Sequence, residues 1–198
     1  MTPVILASAS EIRARLLRDA GVPFTVEVAR VDEDMVKHSL LQEGAAVRDV
    51  AVALAELKAR KVSASHPDAL VIGADQVLVF CGRIVNKSLD LAEARALLAS
   101  LSGKSHELIS AAALAKDGSV VWRTVSTVEM QMRAFSDAFL DDYLAANGEE
   151  ILSSVGAYRF EGQGSQLFSG YVGDYFAILG LPLLPLMNAL REFGVLPT

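Results

Sequence analysis

The sequence predicts an α/β fold: a mixed, twisted sheet flanked by helices. Short apolar and β-branched runs alternate with longer stretches of helical period, the pattern of βα units. The run ALVIGADQVLVFC, residues 69–81, is apolar enough to be a strand covered on both faces. Two further long strand-like runs are joined by Lys116-Asp117-Gly118-Ser119, a hairpin turn. Helical crossovers call for parallel pairing and hairpins for antiparallel pairing, so the sheet is mixed.

In order along the chain, PVILA (Pro3 to Ala7) reads as a buried first strand, and a helix follows from about Ser10 to Ala20, ending at Gly21. FTVEVA (Phe24 to Ala29) is a second strand, followed by a polar loop. Ala45 to Ala64 forms a long helix, then comes the strand containing Asp75, a short hairpin partner at Arg83 to Val85, and a helix over Leu91 to Ser100. The long strands are His106 to Ala115 and Val120 to Met132. Ser136 opens another helix and Gly148 stops it. After the loop EGQGS, a last helix covers Leu183 to Phe193.

At 198 residues the chain suffices for one packed domain, or one domain with two lobes, and needs no staple. The longest apolar stretch, Tyr175 to Leu190, contains Gly180, Pro182 and Pro185 and is shorter than the roughly 20 residues that span a bilayer. No basic region precedes the short apolar run of MTPVILASAS, so it does not read as an export signal. With Cys81 as the single cysteine there is no intrachain disulfide, and a cytoplasmic protein is expected. Cys81, at a strand end, reads as a packed, inert thiol. His38, His66 and His106 lack zinc-site spacing, and no structural metal is expected. A net charge of −6 argues against a nucleic-acid polymer as ligand, so any anion must be met by a local cluster of Lys and Arg.

Asp75 and Gln76 interrupt the most apolar strand. Burying even a neutral polar group without a partner costs roughly 2–7 kcal/mol, so Asp75 is either hydrogen-bonded to neighbouring backbone or has a catalytic or metal-binding task. After the first strand, Ser8, Ser10 and Arg13 line the start of a helix that Ser10 can cap, which suits either a phosphate or an ordinary helix start. In the long helix Val47, Ala51, Leu54, Lys58 and Val62 share one stripe, so Lys58 either snorkels out of the core or extends to an anion, with Lys61 one turn on. Glu33, in the acidic loop VDED, is either solvated or shares a divalent cation with Asp75. Lys87 is an exposed loop lysine or returns to the same place.

Together, LASASEIRARLL (Leu6 to Leu17), GADQVLVF (Gly73 to Phe80) with Lys87 downstream, LSGKSHEL (Leu101 to Leu108), GAYRFEGQG (Gly156 to Gly164) and GDYFAILGLPL (Gly173 to Leu183) resemble the Maf family of nucleoside triphosphate pyrophosphatases. The resemblance runs over nearly the whole chain, with the segments in the family's order. It implies a single Maf-like domain over residues 1–198, similar in fold to the inosine triphosphatases, with a cleft between two lobes. It also implies hydrolysis between the α and β phosphates of a canonical or modified nucleoside triphosphate, with Mg²⁺ or Mn²⁺, serving to remove unwanted nucleotides. By this resemblance Asp75 is the base and, with Glu33, a metal ligand. Ser8, Ser10, Arg13, Lys58 and Lys87 contact phosphates, and Gln76 and Glu161 are associated with base selection.

The chain departs from the family where many members read S-P-R-R, since Ile12 replaces the first arginine of that base- or phosphate-contacting position. The pairing of Gln76 with Glu161 resembles the branch acting on 7-methyl-GTP, which often carries Trp where this chain has Ile12. Two other readings stand beside this one. The early serine turn is also similar to that of the purine-selective inosine triphosphate pyrophosphatases, and a nucleotide-binding regulator of cell division or septum formation would need the basic groups without two acids. The apolar tail after Pro182 packs either internally or against a second copy, as in a homodimer.

Overall fold

The computed structural model describes residues 2–197. Seven strands, β1 (Val4–Leu6), β2 (Thr25–Val26), β3 (Leu70–Phe80), β4 (Arg83–Val85), β5 (Ser105–Lys116), β6 (Ser119–Met132) and β7 (Phe168–Val172), alternate with helices. The helices are α1 (Glu11–Asp19), α2 (Glu33–Gln42), α3 (Val47–Ser63), α4 (Leu91–Leu101), α5 (Asp137–Asn147), α6 (Tyr175–Ile178) and α7 (Leu183–Glu192). The strands are hydrogen-bonded in the order β2-β1-β3-β5-β6-β7, with β4 also on β3. β1 pairs in parallel with β2 and β3, whereas β3–β4 and β6–β7 are antiparallel, so the sheet is mixed as expected.

The chain divides into two compact units, residues 2–76, 110–126 and 175–197 in the first and 77–109 and 127–174 in the second. In the first unit, β1 lies against β3 in the register Val4–Leu70, Ile5–Val71 and Leu6–Ile72. Part of its core joins Ile5, Ala7, Ala69 and Val71 of this region to Val62 of α3. α3 approaches β3 closely because small residues face each other: a Cβ added at Gly73 would stand 2.1 Å from the Ala55 carbonyl oxygen and 2.7 Å from the Ala59 amide. Farther along, α3 is tied to the β5–β6 hairpin by the Gly118 amide, which donates to Ser63 Oγ at 3.1 Å, and by an Arg123–Glu56 ion pair of 2.7 Å. Leu183, Leu186, Ala189 and Leu190 of α7 are buried in the chain itself, while Leu184 and Phe193 of the same tail are exposed.

In the second unit α4 and α5 are joined by Arg95, whose guanidinium reaches Asp141 at 2.7 Å and Asp137 at 3.2 Å. Ser136 caps α5 by accepting from the Phe139 amide, and Gly148 ends it with φ of 55°, both as the sequence indicates.

Several expectations are corrected. β2 is only two residues long, because Thr25 and Val26 alone pair with β1 and both are exposed at the sheet edge. The polar loop after it contains α2, which has no buried residue and therefore no apolar stripe to reveal it; its start was legible in Asp32, which accepts from the Met35 amide. Cys81 is exposed, not packed: with Gly82 it forms the two-residue β3–β4 turn, both at positive φ (51° and 73°), as a twisted hairpin requires. Strand β7, helix α6 and the 3₁₀ turns at 148–153 and 163–167 were also not anticipated.

Because a methyl group at Gly73 would meet the backbone of α3, Gly73→Ala should destabilise the protein by about 2–3 kcal/mol or more. Urea unfolding of the variant beside the parent chain measures this, and a loss below about 0.5 kcal/mol would mean that α3 yields freely.

Candidate active site

Lys58 is the centre of the site. It sits on the buried stripe of α3 with 6% of its surface exposed, and its ammonium does not snorkel outward. Nζ lies 2.7 Å from Asp75 Oδ1 and 2.7 Å from Glu33 Oε1. The close approach at Gly73 sets this geometry, since Lys58 lies between Ala55 and Ala59 in register and Asp75 two residues beyond Gly73, on the same face of β3. Glu33 is contributed by the first turn of α2, not by a loop, and its side chain is 41% exposed where that of Asp75 is 5%.

Asp75 Oδ2 is buried and has no hydrogen-bond partner. Leaving such an acceptor unmet costs about 1–3 kcal/mol, and in a native site it calls for a ligand, a water or a proton. Backbone bonding as the explanation for Asp75 is therefore set aside in favour of a side-chain cluster with one oxygen open. The donor set fits a hard divalent cation of the kind that takes one or two carboxylates and completes its shell with substrate oxygens. Among the described residues no group of three or more His, Cys, Asp or Glu could hold a metal alone.

Arg13 braces the other side of Asp75. Its Nη1 donates to the Ala74 carbonyl at 3.1 Å and to Ser8 Oγ at 3.2 Å, and its Nε donates to the Gly180 carbonyl at 2.8 Å. Gly180 has φ of 88°, and a side chain there would crowd the guanidinium at 3.2 Å. Burial lowers the Arg13 pKa, and the nearby charges of Asp75 and Glu33 oppose that shift. Ser8 Oγ also accepts from the Ser10 amide at 3.2 Å. Ser10 occupies the cap position of α1 but its hydroxyl makes no capping hydrogen bond, so the first amides of α1 are not closed off by it.

Gln76 follows Asp75 but points to the opposite face of the strand, as strand alternation requires. Its Nε2 donates to Ser110 Oγ (2.9 Å) and to the carbonyls of Ala177 (2.9 Å) and Ile178 (3.0 Å), while the Ser110 hydroxyl donates to Ala177. With the amide nitrogen consumed by carbonyls, the carbonyl end is oriented away from them. Ile12 is half-buried in the first turn of α1. Lys61 does not join Lys58: it is exposed and donates to the Arg30 carbonyl.

The structure thus brings together Ser8, Arg13, Glu33, Lys58 and Asp75 within the first unit, with Ser10, Ile12 and Gln76 in the adjoining turns and strand. Lys87 and Glu161 belong to the second unit. There Lys87 is exposed in the segment after β4, and Glu161 is largely covered, with Oε1 3.6 Å from Arg159 Nε. Sequence reasoning missed Ser110, the carbonyls of Ala177, Ile178 and Gly180, and the buried pair of His106 and Tyr158. The hydroxyl and imidazole could have been suspected from lying within otherwise apolar strands; backbone acceptors leave no residue signature.

His106, 2% exposed, has Nε2 2.7 Å from the Tyr158 hydroxyl. Burial drives its pKa down to about 4, so the imidazole is neutral, and the same cause raises the Tyr158 pKa.

The Maf-like protein family model matches residues 3–193, and the chain belongs to the Maf family. A protein of Ruegeria pomeroyi named nucleoside triphosphate pyrophosphatase is 51% identical over 196 residues, covering 99% of this chain and 98% of that protein. One of Paramagnetospirillum magneticum with the same name is 53% identical over 192 residues, covering 97% and 99%. One of Rhizobium meliloti named 7-methyl-GTP pyrophosphatase is 50% identical over 193 residues, covering 98% and 97%.

Lys58→Met removes the cation from two carboxylates and should cost about 3–5 kcal/mol, with the Lys58→Met/Asp75→Asn double variant more stable than Lys58→Met alone; denaturant unfolding of the three variants measures it, and strict additivity would show that the ion pair is energetically idle. His106 has a folded pKa below its unfolded value, so the unfolded chain takes up the proton first. Its contribution is complete above pH 6.5 and is lost as pH falls towards 4, about 3 kcal/mol in all. Melting curves across that window should fall more steeply for the parent than for His106→Gln, and parallel curves would contradict it.

Proposed function

We propose that this chain hydrolyses nucleoside triphosphates between the α and β phosphates, releasing a nucleoside monophosphate and pyrophosphate, with Asp75 as general base. The observation that carries the reading is the division of labour between the two oxygens of Asp75: Oδ1 is held by Lys58, and Oδ2 is buried with no partner. A water that attacks the α phosphorus gives its proton to Oδ2, the α–β anhydride bond breaks, and its electron pair leaves with pyrophosphate. Lys58 fixes the carboxylate so that little reorganisation is needed at the moment of proton transfer. The full-length likeness to proteins named nucleoside triphosphate pyrophosphatases supports the same reaction.

The cluster in the first unit sums to zero charge, Arg13 and Lys58 against Glu33 and Asp75. A triphosphate therefore brings more negative charge than these residues offset, which supports a divalent cation, Mg²⁺ or Mn²⁺, held by Glu33, or by Asp75 in place of its role as base. When bound, such an ion neutralises charge on the phosphate oxygens. Arg13, with Ser8 beneath it, Ser10 at the open start of α1, and Lys87 would contact phosphates. Gln76, Ile12 and Glu161 would read the base, and 7-methyl-GTP is the modified nucleotide the relative from Rhizobium meliloti supports. The single cysteine and a free nucleotide substrate support a cytoplasmic setting and a role in clearing unwanted nucleotides.

The test is pyrophosphate release with Mg²⁺ from 7-methyl-GTP, GTP, dTTP, UTP, CTP and ITP. Asp75→Asn keeps size and removes the base, so it should lower kcat by about 10²–10⁴-fold while the variant still folds. Near-parental turnover would remove Asp75 from this role, and metal-independent nucleotide binding without pyrophosphate release would favour a regulator.

A further inference from the structure

We propose that Tyr158, held by His106, is a positioning residue for base selection: it latches the 156–164 loop in the conformation that presents Glu161. The inference rests on the base-reading role proposed for Glu161. All its parts lie in the second unit.

His106 sits on β5 in an otherwise apolar environment, and its Nδ1 is buried without a hydrogen-bond partner. An apolar side chain of similar size would fill the space without leaving a polar atom unmet, so the imidazole is there for its other nitrogen, which meets the Tyr158 hydroxyl at 2.7 Å. The imidazole nitrogen and the phenolic hydroxyl can each donate or accept, so either tautomer sustains this contact. The two rings also pack on Phe168, Tyr158 edge-on with centroids 4.8 Å apart.

From Tyr158 the constraint passes directly into the loop. Its ring folds over Gly156, where an added Cβ would lie 2.2 Å from the Tyr158 Cε1. Ala157, between them, is held at φ of 54°, a left-handed conformation costly for a residue with a side chain and sustained only by its surroundings. Those surroundings include the Tyr143 hydroxyl, which donates to the Ala157 carbonyl at 3.4 Å. On the other side of Tyr158, the Gly162 amide donates to the Arg159 carbonyl at 3.1 Å, closing a turn around Phe160 and Glu161. Gly164 packs so tightly that a Cβ there would stand 2.4 Å from that same carbonyl oxygen. Arg159 pairs with Glu150 at 2.7 Å and lies 3.6 Å from Glu161. A shift of Tyr158 therefore moves Arg159 and, with it, Glu161.

Tyr158→Phe removes only the hydroxyl and keeps the ring packing, and His106→Gln retains a donor at the Nε2 position. Amide exchange across 156–164 and kcat/KM for 7-methyl-GTP against GTP are measured for both variants and the parent. Tyr158→Phe should exchange faster in this loop and shift the ratio about fivefold through KM with kcat little changed, the scale of one ordinary hydrogen bond, while His106→Gln stays close to the parent. Unchanged exchange in Tyr158→Phe, or faster exchange with an unchanged ratio, overturns the proposal. A parent chain that releases no pyrophosphate from any nucleotide overturns the proposed function instead; exchange then reads the latch alone, and unchanged exchange overturns it.

Discussion

The ammonium of Lys58, shared between Asp75 and Glu33, is the interaction on which the site depends. It is possible only because Gly73, Ala55 and Ala59 let α3 lie almost in contact with β3. Were the helix held off by one ordinary side chain, the lysine would reach neither the buried carboxylate nor its exposed partner in this geometry, and Asp75 would be a charge without compensation in an apolar strand. Desolvation makes that arrangement expensive and also precise, because a buried ion pair tolerates little displacement before its attraction fails to offset the cost of leaving water.

Two neighbouring residues of β3 divide the strand between chemistry and support. Asp75 turns towards α3 and the cations; Gln76 turns the other way and ties β3 to Ser110 and to the carbonyls around the end of α6. Arg13 completes the frame by bonding both the Ala74 carbonyl and that of Gly180, so the C-terminal segment is fastened to β3 on each side of the carboxylate. Polar groups of this kind hold backbone that no ladder satisfies, which is how an irregular segment is fixed beside a reactive group.

Much of the fold is legible in the chain. The central strand, the hairpin at Asp117-Gly118, the caps at Ser136 and Gly148 and the long α3 all follow from apolar periodicity and turn chemistry. α2 escaped because a helix without a buried face carries no such periodicity, and β2 shrank because an edge strand is paired on one side only. Cys81 ends an apolar run yet is exposed, because the run continues into a turn that needs positive φ at two successive residues. In the site, Asp75 was marked by its cost and Lys58 by its place on an apolar stripe. The Ser10 hydroxyl, expected to cap α1, makes no capping hydrogen bond, and the Ser10 amide donates to Ser8 Oγ.

The amino-acid sequence by itself determined the class of fold, the order of most elements and the identity of the carboxylate that has no place in an apolar strand, because these depend on local pattern and on the cost of burial. Its motifs also sufficed to mark its family. Only the tertiary structure decided which charges meet: that Lys58 serves both acids, that Arg13 is committed to backbone carbonyls, that one oxygen of Asp75 remains open, and that His106 finds Tyr158. Those pairings join residues from 17 to 167 positions apart, or depend on main-chain acceptors that every residue carries, so they are set by the packing of whole elements and leave no trace in local sequence.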